Sequence, residues 1–370
     1  MKGKIAASLL VLALAAGQAG AQTDPFGGLY QGEGQPSSRT GSTSVSGSAG
    51  RSYAGASESG VVSMASLSLL PRQVAPMAFK LKGWNAKFLT GRPRIAVPTY
   101  TLAVVRAGRA SAFGGGAGSE MAGRRASLTT ALVGVSDEMA GRLAEEANKD
   151  LIQRLTAAGF DVVPQEQVRA HADMARLQSL GPNARGANGL SLYAPAAAPL
   201  VAGGPFASNP MGMAKASMVF NDLSAELDAV ILNPALAVDY QQLESTGRRT
   251  FVGSAHVGAR VLFSVLPQSG VHFLYGKRRG LGGGMGGNLV LQAAQGSDEQ
   301  FGLMYEVDDR SDSVALHNAF AMAGLGSVYR QSKAYAVEVH PDRYAALVRA
   351  AYQGMNAAIV EEVRRARAAS

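Results

Sequence analysis

The stretch Ser136–Val163, SDEMAGRLAEEANKDLIQRLTAAGFDVV, restricts what this chain can fold into more than any other. Ser136 is placed to cap a helix, and Asp137 and Glu138 follow in its first turn, where negative charge suits the positive end of the helix dipole. Met139, Leu143, Ala147, Leu151 and Leu155 then recur at helical spacing and form one apolar stripe. Glu145, Lys149 and Gln153 mark a polar side. Gly159 stops the helix, because a left-handed residue costs glycine little. Phe160-Asp161-Val162-Val163 reads as a short strand. With the strand Arg94–Val105 ahead of it, the unit is strand, connection, helix, strand. The fold class this predicts is α/β: a mixed twisted sheet covered by helices in two or three layers.

The ends of the chain carry the address. Lys2 and Lys4 precede the apolar run Ile5–Ala16, and Ala19-Gly20-Ala21 is a small-residue cleavage site. Residues 1–21 therefore read as a Sec-type signal peptide cleaved near Ala21, and the expected location is periplasmic or secreted. The apolar run is too short for a membrane anchor, and no later run is long enough to span as a helix. From Gln22 to about Arg72 the chain is rich in Gly, Ser and Thr. Such a composition buries too little apolar surface to offset its ordering entropy, so residues 22–74 read as a disordered exported linker. A single α/β domain is expected over 75–370.

There is no cysteine, which removes disulfides, a thiolate metal site and a lipid-modified N-terminal cysteine. The formal charge is +8, and loss of Lys2 and Lys4 with the leader leaves +6. The excess is spread over Arg124-Arg125, Arg248-Arg249, Lys277-Arg278-Arg279, Arg364-Arg365 and Arg367. It suits contact with an anionic polymer or lipid surface, and equally a solvated basic exterior. The chain has no aromatic–basic nucleic-acid motif, and no nucleic-acid partner is expected.

Further elements follow from spacing. Phe79–Leu89 holds a short strand around Trp84, and Ala107–Arg125 reads as a loop. Pro164 opens a helix over Gln165–Leu177, with Val168, Ala172 and Leu177 inward. Gly181–Gly212 reads as a long loop, Ala214–Leu227 as a helix and Asp228–Leu232 as a core strand. Ala235–Leu243 continues that strand, and Ser245-Thr246-Gly247 reads as a turn. Ser254–Val265 alternates, with Ala255, Val257, Ala259, Val261, Phe263 and Val265 on one face. Val271–Tyr275, Asn288–Gln292, Gly302–Val307 and Ala334–Val339 read as strands. Pro341 opens a final helix with the stripe Tyr344, Val348, Tyr352, Met355, Ile359 and Val363.

Candidate chemistry is sparse. Gly282–Gly287 matches G-x-G-x-x-G, yet a strand-like Asn288–Gln292 follows where a dinucleotide site needs a helix, so a hairpin connection is expected. His171, His256, His272, His317 and His340 form no close metal-ligand pair, although His256 and His272 could meet across a hairpin. Asp308, Asp309 and Asp312 lack the glycine and terminal glutamate of a calcium loop. No catalytic, cofactor or metal residue is assigned.

The order RIAVPTY, capped helix, GFDVVPQEQV, helix, LDAVILNPALAVDY, amphipathic strands and terminal helix resembles the periplasmic α/β domain of the curli-type secretion channel family and related polysaccharide-export accessory proteins. Phe160–Gln167 matches one family motif and Leu227–Leu232 another, within a likeness spanning roughly Arg94–Val307. The family's lipid-anchoring cysteine is missing, and Asn233 stands where glycine is usual. The resemblance implies a ring-forming or scaffold protein and transfers no functional residue. The expected function is thus a non-enzymatic, self-assembling or scaffolding envelope component associated with secretion or polymer export. Its expected partners are copies of itself or envelope export proteins. Two alternatives stand. One is an exported hydrolase using sequence-distant carboxylates such as Asp228 or Asp239. The other is an outer-membrane channel subunit with inserted hairpins, against which the thin Ala-bearing face of Ser254–Val265 and the shortness of Val271–Tyr275 argue for a soluble sheet packed under helices.

Overall fold

The computed structural model describes residues 73–83, 94–114, 124–176, 183–185, 190–196, 198, 200, 210–247, 255–267, 269–276, 284–306 and 333–368. The signal segment, the Gly/Ser-rich tail to Arg72, Trp84, Lys277-Arg278-Arg279, Asp308, Asp309, Asp312 and His317 lie outside them. In chain order the elements are β1 (Leu81–Gly83), β2 (Arg94–Ala96), β3 (Thr101–Val105), β4 (Ala107–Gly114), β5 (Arg124–Val133), α1 (Asp137–Ala157), β6 (Asp161–Val162) and α2 (Gln165–Ala170). A 3-10 helix (Ala172–Arg176), β7 (Asn183–Arg185), β8 (Leu190–Tyr193), α3 (Pro210–Leu227), β9 (Val230–Gly247), β10 (Ala255–Val265), β11 (Gly270–Gly276) and β12 (Gly284–Leu291) follow. The chain then runs through β13 (Gln295–Ser297), β14 (Gly302–Glu306), β15 (Lys333–Val339) and α4 (Pro341–Ala368).

β9 is the axis. Its first half pairs in parallel with β2 and β3 on one edge, Ile95 opposite Val230 and Leu102 opposite Leu236. On the other edge it pairs antiparallel with β11 and, further on, with β10. A mixed sheet runs β1-β12-β11-β9-β3-β8-β7, with β2, β6, β10 and β13 attached off that path. Successive side chains of a strand point to opposite faces. Val230 and Leu232 accordingly join the apolar core beneath α1 and α4, while Ile231 joins Ala96, Phe220, Leu223 and Leu274 beneath α3. The expected α/β class, a mixed sheet covered by helices, is therefore the architecture, in its three-layer form.

A second, four-stranded sheet, β14-β15-β5-β4, is an addition to that expectation. It packs over the arm formed by β10 and the second half of β9. Val257, Ala259, Phe263 and Val265 share one core with Ala110, Leu128, Leu132 and Val337. The alternation read over Ser254–Val265 is thus real, but its apolar face is covered mainly by a sheet. The helical contribution is Tyr344 at the start of α4, whose ring lies 5.9 Å from that of Phe263.

α1 matches its sequence signals. Ser136 accepts from Met139 N–H at 3.1 Å, the five stripe residues are buried, and Gly159 has φ 78°. Other expectations shift. The strand Arg94–Val105 breaks over Val97–Tyr100, opposite Pro234 of β9, a proline with no N–H to give a ladder. Ala107–Arg125 is not a loop throughout, for β4 and the start of β5 form a hairpin there. Its glycine and alanine content hides the strand pattern. The helix from Gln165 ends at Ala170, because His171 is extended; Ala172 is exposed, and Asp173 and Met174 turn inward instead. Gly181–Gly212 contains β7, β8 and the start of α3, and Ser245–Gly247 prolongs β9. β10 and β11 do not pair with each other, since both lie along the same edge of β9. Of the glycine-rich match read as a hairpin connection, Gly284–Gly287 lies within strand β12, paired antiparallel with β11, and the two residues before it lie outside the described residues.

Candidate functional site

The densest polar constellation lies where strands leave the central sheet for the second one. Arg106 is the joint between β3 and β4 and is only 5 % exposed. Its guanidinium donates to Val135 O at 2.5 Å, to Tyr193 Oη at 2.5 Å and to Asp137 Oδ1 at 3.1 Å. Tyr193 in turn donates to Asp137 Oδ1 at 2.6 Å. The buried cation is thus met by a carbonyl, a phenol and a half-exposed carboxylate, which is what keeps a buried charge tolerable. Burial raises the Tyr193 phenol, against the pull of Arg106. Burial likewise pushes up Tyr344, whose hydroxyl finds no partner among the described residues and which feels both Arg106 and Asp239.

Asp239 sits at the corresponding point on β9, also 5 % exposed. Its Oδ1 accepts from Tyr240 N–H at 2.7 Å and from Gln241 N–H at 3.3 Å. Burial raises its pKa to about 7, with those two bonds opposing the rise. Asp228, the other carboxylate singled out from sequence, occupies the turn into β9 with φ 44°, a left-handed position that Asp tolerates better than most residues. Tyr275 Oη lies 3.5 Å from it. The two carboxylates belong to the two ends of one strand segment, on the order of 30 Å apart at a strand's rise per residue. The fold does not bring them together as a catalytic pair.

A second cluster joins the 3-10 helix to α3. His171 Nε2 lies 2.7 Å from Glu226 and its Nδ1 3.7 Å from Asp173 Oδ2, and Arg176 bridges Asp173 at 2.6 Å and Asp222 at 2.9 Å. His171, Asp173 and Glu226 have the ligand types and proximity of a metal site. The hydrogen bonding tells otherwise. Asp173 N–H donates to His171 Nδ1 at 3.2 Å, which leaves the Nε2 proton for Glu226, and Arg176 holds Asp173. Both ring nitrogens are engaged, so the group works as a clamp, hydrogen-bonded through His171 and ionic through Arg176 with Asp173 and Asp222. Sequence reading missed it because His171 and Glu226 are 55 positions apart. The i, i+4 spacing of Asp222 and Glu226 on one helix face was its only local sign.

The remaining histidines disperse. His272 lies between Asn233 of β9 and Asn288 of β12 in a cross-strand row, and its Nδ1 contacts Asn288 Oδ1. Asn233 is 1 % exposed, and neither atom of its amide finds a partner among the described residues. His256 pairs in register with Thr246 of β9, away from His272, so the meeting of these two histidines does not occur. His340 closes β15 before α4.

Comparison with protein families, with curated proteins and with solved structures gave no match for this chain. What the fold defines is a three-layer α/β domain with a second sheet stacked on its longest strand.

Proposed function

We propose that this chain is a non-enzymatic, exported component of the cell envelope that assembles with itself or with export machinery. One observation carries the reading. β10 pairs with β9 along its length but with β13 only over Phe263–Val265, and β4 pairs with β5. Among the described residues, the outer edges of β4 and of Ala255–Leu262 carry no strand partner. Unpaired edges of long strands are ready sites for adding a strand from another chain. The polar clusters fit the same reading, because Arg106, Arg176 and Asn356, which donates from α4 to Ala147 O and Asp150 Oδ2 of α1, serve packing between elements. The exported location rests on the N-terminal sequence signals, and the resemblance to secretion-channel domains suggests the setting.

Light scattering coupled to size-exclusion chromatography on residues 22–370 tests this. The expected result is a defined oligomer, or a crosslinked envelope partner from the native cell. A strict monomer with no crosslinked partner would defeat the reading.

The channel-subunit alternative has one feature in its favour: two hairpins, β4–β5 and β9–β10, with β9 and β10 at least as long as the roughly 9–11 residues a tilted spanning strand needs. No helix among the described residues is long and apolar enough to cross a membrane, which says nothing of strands. Here the apolar faces of the hairpins are packed on each other, and Arg260 and Gln242 stand exposed on the arm. Recovery of native protein only from outer membranes, and only with detergent, would select the channel.

A further inference from the structure

We propose that Asp239 is a proton-operated latch, which when neutral seats the β9–β10 arm on the four-stranded sheet and when ionised loosens it. The placement carries the argument. At Val238 and Asp239, β9 gives up its pairing with β3 and continues only with β10. The ladder is irregular there, since β10 slips between Val261 and Ser264 opposite Gln241 and Asp239. Asp239 Oδ1 gathers the backbone N–H groups of Tyr240 and Gln241, at 2.7 and 3.3 Å. Those two residues carry hydrogen bonds from the arm to the facing sheet, beside the apolar core the two share. Tyr240 Oη donates to Thr130 Oγ1 at 3.0 Å, and Thr130 Oγ1 donates to Gln241 Oε1. One buried carboxyl thus orients both side chains that tie the arm down.

The surroundings give a negative charge at this position little support. Ser264 stands opposite it on β10 and Thr130 faces the arm from β5, both uncharged. From α4, Tyr344 is the titratable group in electrostatic reach of Asp239, and it also feels Arg106 and Tyr193. The Arg106 guanidinium donates to Val135, Tyr193 and Asp137. Burial therefore favours the protonated carboxyl, up to about pH 7.

The direction follows from linkage. In an opened arm Asp239 meets water and returns to an ordinary carboxylate pKa of about 4, whereas in the closed arm it holds its proton to about pH 7. Below about pH 4 both states are protonated, and the latch is fully effective. Between about pH 4 and 7 opening becomes favoured by roughly tenfold per pH unit, and above about pH 7 it gains nothing further. This inference is independent of whether the chain assembles.

Hydrogen exchange read by mass spectrometry on residues 22–370, from about pH 5 to about pH 8, tests it in the regime where reclosing outpaces exchange. After correction for intrinsic rates, amides of Tyr240–Leu243 and Val257–Val261 should lose protection by about tenfold per unit up to about pH 7 and then level off. Amides of Leu143–Leu155 in α1 open only with the whole domain, which also frees Asp239, so they should stay better protected than the arm at every pH. Asp239→Asn keeps an acceptor for both N–H groups and should show a flat profile at the arm. A flat wild-type arm, an equal slope in Asp239→Asn, or an arm no less protected than α1 would each overturn the latch. Should the Asn variant fail to fold, the wild-type slope of the arm and its lower protection than α1 still decide.

Discussion

Asn356 and Asn233 are both buried asparagines, and they differ in what they bond. Asn356 donates to Ala147 O and to Asp150 Oδ2, both at 2.9 Å, and accepts from Tyr100 Oη at 3.2 Å. It ties α4 to α1 and to the break between β2 and β3. Asn356→Leu leaves the buried Tyr100 hydroxyl without its acceptor and removes two further bonds to α1, and should cost about 2–4 kcal/mol in a urea melt. Asn233 bonds nothing with its amide among the described residues, so Asn233→Val should raise stability by about 1–3 kcal/mol. A loss of stability in the second variant would mean that its amide has a partner after all. Asp239 adds a pH signature at this scale. Burial pushes its folded pKa up to about 7, so its stabilising effect is full below about pH 4 and lost by about pH 7. Asp239→Asn should therefore gain up to about 4 kcal/mol on the wild type near pH 8 and nothing near pH 4. Equal differences at both ends would show that the carboxyl does not titrate in this range.

Two helix glycines make the corresponding point for elements. Gly141 lies in α1 with nothing within 4 Å of a Cβ built there. Alanine should stabilise that helix by about 0.5–1 kcal/mol, as helix propensity alone predicts. Gly354 lies in α4, where the extended segment 73–80 crosses the helix, and a Cβ would stand 2.3 Å from Met77 O and 2.8 Å from the Phe79 ring. The same substitution there must push the segment away. Gly354→Ala should cost about 1–3 kcal/mol and expose residues 73–80 to limited proteolysis. An uncleaved segment in that variant would show that it can shift without leaving α4. Propensity is identical at the two sites, and only the neighbour across the helix sets the sign.

At the scale of the whole molecule, residues 22–72 carry little apolar surface. Their deletion should leave the thermal midpoint nearly unchanged, and a drop of several degrees would show that they belong to the folded domain. Signals confined to one turn or one strand were legible without the structure. They include the Ser136 cap, the stripe Met139–Leu155, the Tyr344–Val363 stripe of α4 and the alternation of Ser254–Val265. These depend on backbone geometry and side-chain period, which a few neighbouring residues determine. The partners of those faces were not legible. Nothing local says that Val257 and Phe263 meet Leu128 and Val337 of a second sheet, or that β10 and β11 share one edge of β9. Nor does it say that Arg106, Tyr193 and Asp137 converge. Their contacts join residues separated by tens to hundreds of positions, and such closure is chosen by the packing of all layers together. By itself the sequence determined an α/β domain behind a Gly/Ser-rich leader, and which residues face inward. The tertiary structure alone decided that Asp239 is sealed at a joint between two sheets, because its burial comes from chain segments that no spacing along β9 records.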